Sequence, residues 1–178
     1  MKSSNKDAEA DSTAMRLFIH YVGDVHQPLH ASTRLDKEYP EGDKGGNAFP
    51  IPSMHSLNEL HAVWDSVIFE FNYYPKLPFS DSDWEKYTDY AKDLMSKYSS
   101  DLGDVTSFDP DMWAQESLEI TEEFVYKGIK ENEELPEDYQ VKARAKAEKR
   151  LVQAGHRLAS ALMQLNLSGT EEALFLQQ

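Results

Sequence analysis

Cysteine is absent from the 178 residues, which excludes disulfides, thiolate metal sites and thiol nucleophiles together. Any metal must be held by His, Asp, Glu or backbone groups. Positive charge is scarce as well: 18 Lys and Arg stand against 32 Asp and Glu, a formal net charge of −14. That balance excludes a broad basic surface that recognises nucleic acid by neutralising phosphates. It does not exclude a phosphate substrate, because a bound divalent cation reverses the sign locally. No apolar run approaches the ~20 residues of a membrane span, and the opening MKSSNKDAEA is polar throughout, so neither a span nor a secretory leader is visible. Alternating strands bounded by hairpin signals are missing too.

What is present is helical periodicity and a 40% apolar content, enough to build one core. The expectation is an all-α fold, a single mainly helical domain over residues 1–178 with about five helices and long loops. A polar segment is expected over residues 1–11, the helical region over 12–166 and a loose tail over 167–178. The first helix is predicted from about Ser12 to Gln27, where Pro28 removes a backbone donor. A Gly/Pro-rich loop covers about Ala31 to His55. Ser56 and Glu59 have the spacing of a capping box and predict a second helix that continues to about Asn72. Ser82 and Glu85 repeat that spacing ahead of a stripe of Trp84, Tyr87, Ala91, Leu94 and Tyr98, read as core. Asp109-Pro110 supplies the cap and first-turn proline of a fourth helix carrying Trp113, Ile120 and Phe124. The last helix, about Glu137 to Asn166, sets Val141, Val152, Leu158, Ala159, Leu162 and Met163 along one side, with KARAKAEKR read as a solvated face.

The chemistry-bearing residues gather in two places. His20 and Asp24 lie four apart and project from one helical face, and His61 and Asp65 repeat the spacing on a second helix. His30 lies just past the Pro28 break, where the chain can turn its imidazole back toward both pairs. One such pair is ordinarily a surface hydrogen bond. With two pairs and His30, a zinc site and the bland reading balance on spacing alone. His26, two residues from Asp24, points to another face and is read as a surface or supporting residue. His55 and His156 have no partner at ligand spacing. Trp64 is read as a packed anchor rather than a stacking platform.

The strings LFIHYVGDVHQPLH, DKGGN, LHAVWDS, WAQES and AGHRLA occur in the order found in the zinc-dependent single-strand-specific nucleases and 3′-nucleotidases of fungi, plants and protists. The chain resembles that family, itself related to bacterial zinc phospholipases C, from about Ala14 to Asn166. The resemblance implies a helical protein with three zinc ions at the base of a cleft. It makes His20 and Asp24 ligands of a zinc pair bridged by the aspartate, and His30, His61 and Asp65 the ligands of the remaining zinc. Water activated by zinc is then the nucleophile, with Asp24 counted among the catalytic residues. Asn47, in the Asp43-Lys44-Gly45-Gly46-Asn47 loop, is a candidate for catalysis and substrate binding; a glycine turn with a polar cap explains the same residues equally well.

The family's amino-terminal Trp and upstream His and Asp ligands have no counterpart here: residue 1 is Met1 and no histidine precedes His20. The expectation is a chain corresponding to the last two thirds of a complete enzyme, with one complete zinc ligand set and impaired hydrolysis. The substrates implied are single-stranded DNA or RNA and 3′-nucleotides; no protein partner is implied. Location outside the cell or in an endomembrane lumen follows from the resemblance, and Asn166-Leu167-Ser168 fits the glycosylation pattern. Two alternatives stand beside this reading: a phospholipase C-type lipid hydrolase, and a non-catalytic helical domain stabilised by zinc.

Overall fold

The computed structural model describes residues 2–71, 75–100 and 102–165, with side chains from residue 9 onward. Five helices carry the fold: α1 (Lys2–Asp24), α2 (Leu60–Asp65), α3 (Asp81–Lys97), α4 (Pro110–Ile120) and α5 (Glu137–Gln164). A single 3-10 turn, Pro28–His30, follows α1, and α4 runs into a π-helical turn, Thr121–Val125. The long helix α5 packs against both α1 and α3, while α4 packs on the 3-10 turn.

The all-α expectation holds, with one addition. A small antiparallel hairpin pairs β1 (Pro50–Met54) with β2 (Leu57–Glu59). Its turn is His55-Ser56, both with positive φ, so Ser56 cannot cap a helix from there. The predicted Ser56/Glu59 capping box is therefore not formed: α2 starts only at Leu60, its cap residue Glu59 makes no side-chain cap bond, and it ends at Asp65 rather than near Asn72. The strand signal was hidden because Pro50 and Pro52 interrupt the alternation.

Other boundaries move for equally local reasons. α1 begins at Lys2, ten residues before the expected start, because the polar opening is rich in helix-forming Lys, Ala and Glu. It stops at Asp24 rather than Gln27. The cap of α3 is Ser80, whose hydroxyl accepts from the Asp83 amide while the Asp83 carboxylate accepts from the Ser80 amide, a capping box two residues ahead of the predicted one. Asp109 caps α4 as expected, its carboxylate accepting from the Met112 amide at 3.0 Å.

The main core lies under α2. Leu60, Val63, Trp64, Ile68, Phe49, Leu29 and Val125 are buried together with Tyr139 and Ala143 of α5. Trp64 is the anchor that the sequence indicates: its indole N–H donates to Tyr139 Oη at 3.2 Å, and that hydroxyl donates to the Val125 carbonyl at 2.7 Å. One chain of bonds thus ties α2, α5 and the π turn. Two predicted core faces are corrected. Of the α3 stripe only Leu94 is buried, and Trp84 is 60% exposed. On α5, Val152 is buried as predicted but Val141 and Met163 face solvent; the buried line runs through Tyr139, Ala143, Ala147, Arg150, Ala154, Arg157 and Ala161. Those steps of three and four are a regular helical stripe with two arginines in it. Glu148 and Arg150 are therefore buried members of the KARAKAEKR stretch, which is only partly a solvated face.

Candidate metal centre

The end of α1 and the short α2 meet side by side, held by groups that the residues between them supply. After Asp24 the helix carbonyls lose their partners, as at any helix end, and side chains take over. His26 Nδ1 lies 2.7 Å from the Val22 carbonyl oxygen. Ser117 Oγ donates to the Val25 carbonyl at 2.6 Å, Arg150 Nε to the His26 carbonyl at 3.1 Å, and Ser32 and Thr121 hydroxyls both donate to the Pro28 carbonyl. The Val25 and His26 carbonyls are thereby fixed from α4 and α5, and the Pro28 carbonyl from Ser32 and the π turn. Gln27 caps the 3-10 turn, its Oε1 accepting from the Leu29 amide at 2.5 Å.

This framework brings His30 to α2. His30 Nε2 lies 3.0 Å from Asp65 Oδ1, and His61 Nε2 lies 3.4 Å from Asp65 Oδ2. The two imidazole rings stack with centroids 4.9 Å apart and planes 10° from parallel. One ligand atom from each of His30, His61 and Asp65 falls within 4.8 Å of the others. His20 and Asp24 continue the cluster: His20 Nε2 is 3.1 Å from Asp24 Oδ2, and that oxygen is 3.7 Å from His30 Nδ1. All five predicted ligands therefore form one run of contacts. Asn47 stands apart from it, exposed, with its side-chain amide donating to the Lys44 carbonyl at 2.8 Å.

The triad fits a zinc ion in donor chemistry and in the way its members are aimed. His61 Nδ1 donates to the Gly45 carbonyl at 2.7 Å, which leaves the Nε2 lone pair facing Asp65. The DKGGN loop exists in a shape that makes this possible. Asp43 is fully buried; it accepts from the Arg34 amide and Thr33 hydroxyl on one oxygen and from the Tyr126 hydroxyl on the other. Gly45 has φ +62, and a Cβ there would run into the Leu29 carbonyl oxygen, so only glycine lets the loop lie this close. Gln27 Nε2 donates to Asp65 Oδ1 at 2.9 Å and orients the carboxylate. Groups that orient ligands in this way set metal affinity nearly as much as the ligands themselves.

Electrostatics agree with the geometry. Hydrogen bonding to Asp65 raises the His30 pKa, against the opposing effect of burial, and Asp24 adds to the rise. Burial would raise the Asp65 pKa, but bonds from His30 and Gln27 outweigh it and hold the carboxyl below its ordinary value. Both shifts favour the charged forms of His30 and Asp65, so the two groups attract each other across the site.

Beneath this surface lies a second cluster that the sequence reading missed. Arg157 donates to both Glu116 carboxylate oxygens, to the Asp104 carbonyl, and lies 2.9 Å from His26 Nε2. Arg150 donates to Glu116, to the Trp113 carbonyl and to Ser117. His26 is only 2% exposed, so it is no surface residue; burial first, then the Arg150 charge, push its pKa down to about 4. A neutral ring that donates from Nδ1 and accepts at Nε2 satisfies both neighbours. Glu116 and Ser117 belong to WAQES, and Arg157 to AGHRLA. The two strings were the available signal, since their polar residues sit at helix spacings that a purely apolar stripe leaves out.

The S1/P1 nuclease family matches the chain over residues 1–166. Endonuclease 4 of Arabidopsis thaliana is 30% identical over 166 residues, which covers 90% of this chain and 52% of the relative. Endonuclease 5 of the same plant is 31% identical over 159 residues, 84% of this chain and 49% of the relative, and its Endonuclease 3 is 32% identical over 155 residues, 84% and 50%. The chain spans about half the length of these relatives. With the match running through both the helices that bring His30, His61 and Asp65 together and the buried cluster beneath them, the chain belongs to the S1/P1 nuclease family.

Proposed function

We propose that this chain serves zinc-dependent hydrolysis of phosphodiester bonds in single-stranded DNA or RNA and of 3′-nucleotides. The observation that supports it most is the convergence of His30, His61 and Asp65 within 4.8 Å, with Asp65 aimed by Gln27 and His61 by the Gly45 carbonyl. A zinc ion at that site would supply an activated water and a positive charge against the phosphate. The protein's own part is orientation: Gln27 holds Asp65, the Gly45 carbonyl holds the His61 tautomer, and the clamped carbonyls of residues 22–28 hold His30 in register. Asp24, between His20 and His30, extends the donor set toward a second ion. Asn47, at the rim of the glycine loop, is assigned to the substrate. No side-chain nucleophile is required by this arrangement.

Location outside the cell or in an endomembrane lumen belongs to the same reading; no described helix is long and apolar enough to cross a membrane. The glycosylation pattern at Asn166 lies outside the described residues. The test is to load the chain with zinc, measure bound metal, and assay single-stranded DNA, 3′-AMP and phosphatidylcholine. Metal-dependent release of nucleotides or inorganic phosphate is expected. Cleavage of the lipid alone would replace the nuclease reading by the phospholipase, and one tightly held zinc with no hydrolysis of any substrate would leave a zinc-stabilised binding domain.

A further inference from the structure

The DKGGN loop is tied to the metal centre through the Gly45 carbonyl, which accepts from His61 Nδ1 at 2.7 Å. Its backbone runs through the left-handed region: Lys44, Gly45 and Gly46 have φ of +57, +62 and +80. Glycine adopts that conformation freely, whereas the Cβ of lysine is crowded by backbone there, so residue 44 is the costly member of the run. The turn gains nothing from the lysine side chain. What the turn uses is the Lys44 carbonyl, which accepts from the Asn47 side-chain amide at 2.8 Å and which any residue would supply. Among the described residues Lys44 makes no ion pair, although the chain holds 32 Asp and Glu. It lines an open pocket of about 720 Å³ together with Asp24, His30 and His61.

We propose that Lys44 is a specificity-determining residue that binds a second, uncleaved phosphate of a single strand whose scissile phosphate is held at the metal centre. The inference rests on the nuclease reading and deepens it, because a 3′-nucleotide with one phosphate offers Lys44 nothing to hold. The pocket falls within the range of sites that take whole small molecules, roughly 300–1,000 Å³, so it extends past a single phosphate. Its remaining wall has no free donor for an anion. Ser32 Oγ donates to the Pro28 carbonyl and Thr33 Oγ1 to Asp43, while Leu29, Ala31 and Ala114 are apolar. Among the described residues Lys44 is the one Lys or Arg in the lining. An ammonium with three donors and no internal partner suits a phosphate oxygen. At a net charge of −14 a neutral residue there would leave the flanking phosphate repelled by the field of the protein.

Lys44→Gly removes the ammonium and relieves the left-handed backbone together, so weaker binding by that variant does not come from a damaged turn. The zinc-loaded full chain is titrated with labelled phosphorothioate octathymidylate between about 50 and 200 mM salt. Inorganic phosphate, a ligand with a single phosphorus, is titrated as competitor. Lys44→Gly is expected to bind octathymidylate about fivefold more weakly at the lowest salt, the worth of one exposed ion pair. The slope of log affinity against log salt should flatten by about 0.7, one phosphate contact on a single strand. Affinity for inorganic phosphate and zinc content should hold, and the melting temperature should hold or rise. Lys44→Arg should keep the wild-type slope. Lys142→Gln removes an exposed lysine outside the pocket and should keep it too.

An unchanged slope in Lys44→Gly, or a slope flattened as much by Lys142→Gln or Lys44→Arg, would overturn the second phosphate contact and leave the nuclease reading intact. Equal weakening of octathymidylate and inorganic phosphate would put Lys44 on the scissile phosphate and overturn the proposal as well. Failure of octathymidylate to bind the zinc-loaded wild type would sink the nuclease reading and this contact together.

Discussion

His26 and His30 are four residues apart and belong to opposite regions of the molecule. His26 lies in the buried cluster of Arg150, Arg157 and Glu116, with both ring nitrogens matched and its pKa pushed down by burial and cationic neighbours. His30 lies on the open face, where Asp65 raises its pKa and its two ring nitrogens face the carboxylates of Asp65 and Asp24. The buried region joins His26, Arg150, Arg157 and Glu116 in one bonded cluster, which makes it a frame. The open region concentrates donors on one side and leaves them for a ligand. The same residue type is enclosed by arginines in one region and faces carboxylates in the other, and the turn at Pro28 decides which ring goes where.

That division is broken most forcefully from below. Arg157→Ala strips Glu116 and His26 of their buried partner, and a loss of about 3–5 kcal/mol is expected, as for other pairs broken on one side. Urea unfolding of the metal-free chain measures it; an unchanged midpoint would mean that the buried cluster is not the frame. His61→Ala should do the reverse, sparing the metal-free chain but abolishing its response to metal. Zinc at 100 times its Kd adds ~2.7 kcal/mol to a one-site protein, and thermal melts with and without zinc should lose that increment in the variant, as should wild type treated with a chelator.

Gln27→Ala tests the boundary between the regions. Releasing Asp65 from its hydrogen bond is expected to weaken zinc binding by about 10- to 100-fold, read by competition titration, with the unfolding midpoint of the metal-free chain nearly unmoved. A pH effect is smaller. Burial alone would raise the Glu116 pKa, but the guanidiniums of Arg157 and Arg150 outweigh it and hold the carboxylate below its ordinary 4.5, with His26 across Arg157. The unfolded chain therefore takes up this proton first. The stability tied to Glu116 is complete above pH 4.5 and is lost as pH falls through the lower folded-state value. Wild type should accordingly lose stability more steeply than Glu116→Gln below pH 4.5, and parallel acid-unfolding curves would contradict the pairing. The smallest effect is expected at Asn47: Asn47→Ala should leave stability within ~0.5 kcal/mol and weaken single-stranded DNA binding about two- to tenfold, the worth of one hydrogen bond.

Much of the open face was legible in the chain because its logic is local. The i,i+4 spacings of His20 with Asp24 and of His61 with Asp65 survive into the structure even though α2 is only six residues long, since four residues suffice to set two side chains on one helical face. The frame was not legible, because the inward line of α5 includes Arg150 and Arg157, and a reading by apolar periodicity assigns arginines to solvent. The α3 stripe failed for the opposite reason. Its aromatic residues have core spacing but lie along an open groove, and periodicity says which residues share a face, not whether anything covers it.

By itself, the sequence determined the helical class, the absence of thiol chemistry, the anchor role of Trp64 and the pairing of His20 and His61 each with the aspartate one turn away. Tertiary structure alone decided that the two pairs meet, that Gln27 and the Gly45 carbonyl aim the ligands, and that His26 turns inward onto Arg157. The reason is the range of the interactions. Helix geometry acts over three or four residues and is written in their order, whereas Gln27 with Asp65 or His26 with Arg157 depends on how distant helices stack, which no short stretch of the chain encodes.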